Sequence, residues 1–134
     1  MATIKSYTNI EQSRKLAEIL PIESADMYYF TIIRDYPYSQ GKIKTIAKIM
    51  DGSFSSDYDT PCWSLAALLE QLPYEVCDDD GNSSYLQMDK EDDVYQLVYT
   101  DPHGDFESIE TDRYEHFVDA CYEMIIKLSK LSLL

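Results

Sequence analysis

Residues 60–73 read Thr-Pro-Cys-Trp-Ser-Leu-Ala-Ala-Leu-Leu-Glu-Gln-Leu-Pro, and no other stretch restricts the possible folds as strongly. Thr60 has the side chain of a helix cap, whose oxygen accepts a backbone N–H left free by the first turn. Pro61 suits the first helical position, where its missing N–H costs nothing and its ring presets φ. Pro73 closes the segment, because its ring clashes with a preceding helical turn. Between the prolines only Ser64, Glu70 and Gln71 are polar. A helix that is apolar on nearly every side has to be buried. The pattern therefore predicts a central helix over 60–73, carrying Trp63, Leu65, Leu68 and Leu69, with the other amphipathic elements packed over it.

Upstream, residues 8–20 predict a first helix. Thr8 and Glu11 have capping-box spacing, Ile10, Leu16, Ala17 and Leu20 supply its apolar side, and Pro21 ends it. Residues 27–33, Met-Tyr-Tyr-Phe-Thr-Ile-Ile, are β-branched and aromatic enough for a strand. Residues 36–41 carry turn chemistry. Residues 43–50 fit either a second strand or a short helix, and the apolar positions 43, 46, 47, 49 and 50 favour the helix. Residues 52–59, rich in Ser and Asp, read as a loop.

After Pro73 the period falls to two. Residues 85–88, 94–100 and 106–110 predict three strands, joined by the charged turn Lys90-Glu91-Asp92-Asp93 and by Asp101-Pro102-His103-Gly104. Residues 74–77 add a short edge strand, followed by the turn Asp78-Asp79-Asp80-Gly81-Asn82. A last helix is expected from about Asp112, in capping-box spacing with Glu115. Its stripe is Phe117, Val118, Cys121, Met124, Ile125, Leu128 and Leu131, with Glu123 and Lys127 as an i,i+4 pair. The expected fold is α+β: a three- to four-stranded antiparallel meander packed with a central buried helix and a C-terminal helix, plus an N-terminal helix. A length of 134 residues suits one domain spanning 1–134.

The net charge of −14 is spread unevenly. Residues 74–119 hold fifteen Asp and Glu against Lys90 and Arg113, whereas residues 1–50 are slightly basic. Nucleic acid and anionic membranes need clustered Lys and Arg, so neither is an expected partner. Three cysteines without CxxC spacing point to reduced thiols in a cytoplasm rather than to a disulfide framework or a zinc site. Residues 1–12 lack the basic start and apolar run of a signal peptide, and no apolar stretch approaches the roughly 20 residues of a membrane span.

Candidate chemistry is sparse. Asp78-Asp79-Asp80-Gly81-Asn82 suggests calcium, but an EF-hand loop needs an acid where Val76 stands, and Met88 is unsuitable as a later ligand. A Cys–His pair would have to draw on His103 or His116, and Cys62 and Cys121 sit among apolar neighbours. Cys77 is flanked by Glu75 and Asp78, which disfavour its thiolate. No catalytic residue, cofactor or metal is expected. Twelve tyrosines remain, in strands or on a binding surface, where tyrosine gives rigid contact area at small entropic cost. The expected partner surface comprises Asp79, Asp92, Asp93, Tyr95, Tyr99, Asp105 and Glu107, and a basic host protein is the partner it suits.

The central segment Pro61-Cys62-Trp63-Ser64-Leu65-Ala66-Ala67-Leu68-Leu69 and the ending Asp119-Ala120-Cys121-Tyr122-Glu123-Met124-Ile125-Ile126-Lys127-Leu128 resemble small uncharacterised proteins of gut bacteria and their phages. These are loosely similar to phage ABA-sandwich domains, and the resemblance covers residues 60–134. It implies a non-enzymatic accessory protein of phage or mobile-element type and carries no catalytic residue with it. Two readings compete with it. One is a double-stranded-RNA-binding domain, which shares the α-β-β-β-α order but needs the basic residues missing here; the other is a small enzyme.

Overall fold

The computed structural model describes residues 4–33 and 43–134. The turn expected over 36–41 lies outside the described residues. Among those described, the fold is α+β, with three α-helices and two antiparallel sheets of three and four strands. The chain divides into two compact units, residues 7–67 and residues 1–6 with 68–134.

In the first unit, helix α1 (Ile10–Ala17) leads through a 3-10 turn (Ile22–Ser24) to strands β1 (Met27–Ile33), β2 (Ile43–Ile49) and β3 (Thr60–Cys62). The sheet order is β2-β1-β3. The cap of α1 is Asn9, one residue later than expected: its side chain accepts from Gln12 N at 2.8 Å, and the Gln12 side chain accepts from Asn9 N at 3.1 Å. Thr8 is instead fully buried. Its hydroxyl pairs with Ser13 Oγ at 2.7 Å and accepts Trp63 N–H at 3.2 Å. The buried face of α1 is therefore Ser13 and Leu16, and Ala17 points to solvent.

Residues 43–49 form a strand, against the helix that their spacing favoured. They pair with β1 over its whole length, Met27 with Ile49 through Ile33 with Ile43. A short apolar run does not distinguish the two states by period. The unpaired backbone of β1 decides, since each N–H and C=O it exposes needs a partner.

The central segment also differs from expectation. Thr60 and Pro61 do not start a helix. They lie in β3 against β1, Tyr29 opposite Thr60 and Tyr28 opposite Pro61. An edge strand tolerates Pro61 because one side of it needs no donor. Helix α2 is the shorter Leu65–Gln71, and the boundary between the two units falls inside it. Ser64 caps α2, its Oγ accepting Ala67 N–H at 3.2 Å. Ser64 is held in turn by Asp26, which accepts its N–H at 2.9 Å and its hydroxyl proton as well. Trp63 and Leu68 are fully buried, but Leu69 is 40% exposed and Ala66 faces water, so α2 has an outer face after all.

The second unit contains β4 (Glu75–Cys77), β5 (Ser83–Glu91), β6 (Val94–Thr100), β7 (Ile109–Glu110) and helix α3 (Phe117–Lys130), with sheet order β4-β5-β6-β7. The β5–β6 hairpin turns on Asp92 and Asp93, at φ 48° and 64°. Two left-handed residues in a row give the type I′ turn that matches strand twist. β7 is shorter than the strand expected over 106–110. The Asp101 carboxylate accepts the N–H groups of Asp105 and Phe106 at 3.0 and 2.9 Å and bends the chain away from β6. α3 begins later than expected at Asp112, because Tyr114 first bridges to Tyr95 through N–H···O bonds of 2.9 and 2.7 Å. Val118, Cys121, Met124, Ile125 and Leu128 form its buried stripe, joined by Ala120, whereas Leu131 is 55% exposed.

Candidate functional site

In an antiparallel meander successive turns fall at opposite ends of the sheet. The β4–β5 turn and the β6–β7 connection therefore share one end, with Asp79, Asp105 and Glu107, all exposed. Asp92 and Asp93 mark the other end, and the nine residues of β5 separate the two by roughly 25 Å. The seven expected surface residues do not form one patch. Tyr95 is half-buried, its ring stacked on Phe117 at 5.3 Å between centroids, with Lys90 Nζ 5.2 Å from that ring's centroid. Tyr99 is not a surface residue at all. It is fully buried, and its hydroxyl donates to the Pro73 carbonyl at 2.5 Å. Among the described residues the most exposed tyrosines are Tyr58 and Tyr74, and the Tyr74 ring is tilted against that of Tyr85 at 5.7 Å.

At the Asp79 end two clefts open. The larger, about 800 Å³, is lined by Asp79, Phe106, Glu107, Ile109, Leu131 and Leu133 among others. The smaller, about 390 Å³, is lined by Tyr85, Pro102, His103 and Asp105 together with the end of the β4–β5 turn. Sequence reasoning missed the apolar side of this site. Leu131 was assigned to a buried stripe, and no periodic signal marked Leu133.

Two aspartates build the loops around the clefts. Asp78 accepts the N–H groups of Asp80 and Asn82 at 3.0 and 2.8 Å and the Asn82 side-chain amide at 3.0 Å. These bonds hold its pKa below the usual 3.8, the Asn82 side chain contributing most. Asp101 is lowered in the same way, first by the N–H of His103 at 2.8 Å and then by those of Phe106 and Asp105. The stretch that suggested calcium thus turns its first carboxylate inward to its own backbone. Among the described residues no group of three or more His, Cys, Asp or Glu is placed to hold a metal ion.

The other carboxylates stay in solvent. Twelve of the fifteen acids in 74–119 are exposed, while nearby cations are engaged. Lys5 bridges Asp119 at 2.6 Å, and Arg113 bridges Glu91 at 2.9 Å. Lys127 donates to the Glu110 carbonyl at 2.6 Å and lies 3.7 Å from Glu123. Asp79 and Glu107 make no hydrogen bond or ion pair with any described residue.

The two buried thiols offer little reactivity. Burial pushes Cys121 up to about 12 and also raises Cys62, whose Sγ donates to the Thr8 carbonyl at 3.5 Å. Cys77 is exposed beside Ser83, with Sγ 3.4 Å from Oγ. Among the described residues no helix is long and apolar enough to cross a membrane. Comparison with protein-family models, with curated proteins and with solved structures returns no match to this chain.

Proposed function

We propose that this protein is a non-enzymatic binding module that captures a basic protein through the acidic surface of its second unit. The observation that carries this reading is the state of the carboxylates: most are exposed, and they far outnumber the few Lys and Arg that pair with them. Such a field draws in a basic partner and speeds its encounter. It repels phosphate backbones, which opposes the double-stranded-RNA reading. A cytoplasmic setting and an origin among accessory proteins of phages or gut bacteria belong to the same proposal. The origin is supported by the resemblance of residues 60–134, and the setting by three cysteines that are all free.

The test is capture from a bacterial lysate with the intact protein and with a variant bearing Asp79→Asn, Asp105→Asn, Glu107→Gln and Glu110→Gln. A basic protein retained by the first, lost from the second and released by moderate salt is the expected result. Equal recovery by both forms would reduce the acidic surface to a solubilising one.

A further inference from the structure

We infer that the larger cleft is a docking site for an extended segment of a partner protein in which Lys or Arg alternates with aliphatic residues. This rests on the reading of the protein as an acidic binding module and narrows it to one place and one kind of segment.

Two chemistries meet in the cleft. Asp79 and Glu107 bring carboxylates with no partner among the described residues, and a cation lining the same cleft, Lys127, is already engaged by the Glu110 carbonyl and by Glu123. Beside them lie Leu131, more than half exposed, Leu133, and the largely buried rings and branches of Phe106 and Ile109. A volume of about 800 Å³ is in the range of sites that enclose several side chains. A metal ion or a small polycation would satisfy the carboxylates and leave the leucines in water. An apolar peptide would cover the leucines and strand the carboxylates. A segment carrying both residue types gives the carboxylates a cation and covers the leucines, and alternation in an extended chain lets the two kinds of side chain point in different directions.

The apolar wall is formed in advance. Ser132, at φ 58°, ends α3 in a Schellman turn, with Leu133 N–H on the Leu128 carbonyl at 2.9 Å and Ser132 N–H on the Ser129 carbonyl at 3.1 Å. This fixes the backbone that carries Leu131 and Leu133 and lowers the ordering cost of binding.

The test is fluorescence anisotropy at low salt with the full chain and three labelled hexapeptides, alternating Lys-Leu, Lys-Gln and Glu-Leu. The Lys-Leu probe should bind most tightly, with Lys-Gln weaker by about tenfold or more and Glu-Leu not bound. Leu131→Ser, and separately Asp79→Asn with Glu107→Gln, should each weaken Lys-Leu binding by about tenfold. Asp92→Asn with Asp93→Asn, which removes the same charge from the far end of the sheet, should change it by less than about twofold. Backbone amide shifts in the unmodified protein should move at 106–110 and 131–133, a reading that holds even if a variant folds poorly. Equal binding of Lys-Leu and Lys-Gln with no effect of Leu131→Ser would overturn the docking site while leaving a diffuse acidic surface standing. Binding of Glu-Leu as tight as Lys-Leu, or shifts confined to other residues, would also overturn it. Failure of both basic probes to bind would remove the binding-module reading as well.

Discussion

Tyr99 and Pro73 are joined by a hydrogen bond of 2.5 Å, from the phenol to the carbonyl of the residue that ends the central segment. The proline marks the end of that segment in sequence, and the tyrosine occupies its free acceptor. Tyr99→Phe keeps the ring and leaves a part-buried carbonyl unpartnered, a loss of about 1–2 kcal/mol. Tyr95→Phe, on a half-buried ring whose hydroxyl bonds to no described residue, should cost less than about 0.5 kcal/mol. Urea titration of both variants checks the difference.

Thr8 and Ser13 form a buried polar pair in the first unit. Thr8→Val would strand the Ser13 hydroxyl and the Trp63 N–H together, at about 2–4 kcal/mol. Adding Ser13→Ala removes one of the stranded groups. The double variant should therefore be less destabilised than the sum of the singles, by about 0.5–1 kcal/mol in a double-mutant cycle.

Ser132 pays a steric cost by sitting in the left-handed region at φ 58°. Glycine takes that conformation freely. Ser132→Gly should stabilise the protein by about 0.5–1 kcal/mol, read as a higher melting temperature with unchanged circular dichroism. A lower melting temperature would show that the serine side chain contributes something the turn geometry does not require.

Asp78 and Asp101 both have folded-state pKa values below 3.8, held down by hydrogen bonds from Asn82 and from His103 N respectively. A depressed carboxylate adds stability that is complete above the unfolded value and disappears as pH falls through the folded value. The loops around the clefts should therefore hold at neutral pH and loosen below about pH 4. Asp78→Asn and Asp101→Asn should lower the melting temperature at pH 7 and flatten its fall in acid. Parallel acid limbs in the variants and the parent would contradict this.

The hairpin tip offers a control on the charge argument. Asp92→Asn with Asp93→Gly suits the type I′ turn better than two aspartates do and removes two like charges. It should raise stability by about 0.5–1 kcal/mol without weakening capture of a basic partner, measured by thermal melts beside the lysate experiment.

Elements whose pattern is local and long were legible in the chain. The strand over 94–100 follows from its β-branched and aromatic content, and the stripe of α3 from Val118 to Leu128 from period alone, because a neighbour that buries one face does not need to be known in advance. The acidity of 74–119 was equally plain, and the resulting solvent exposure of most of its carboxylates follows from the cost of burying charge. The candidate site was half visible. Asp79 and Glu107 were picked for their charge, but the cleft they border depends on Leu131 and Leu133, brought there by the end of a helix remote in sequence.

Tertiary structure decided what local propensity left balanced. Thr60 and Pro61 could cap a helix or fill an edge strand, and the open backbone of β1 selected the strand. Residues 43–49 resolved the same way, since pairing with β1 satisfies a full row of donors and acceptors. Tyr99 was placed on a surface by residue type and in the core by the position of β6 between β5 and β7, where Leu97, Val98 and Tyr99 are all buried. Asp112 has the spacing of a helix cap, yet its N–H goes to Glu123 at 2.9 Å while Tyr114 pairs with Tyr95, and α3 starts only beyond them. In each case a hydrogen-bond partner distant in sequence outweighed a preference worth a fraction of a kcal/mol to about one, and a chain read in order does not show where such partners lie.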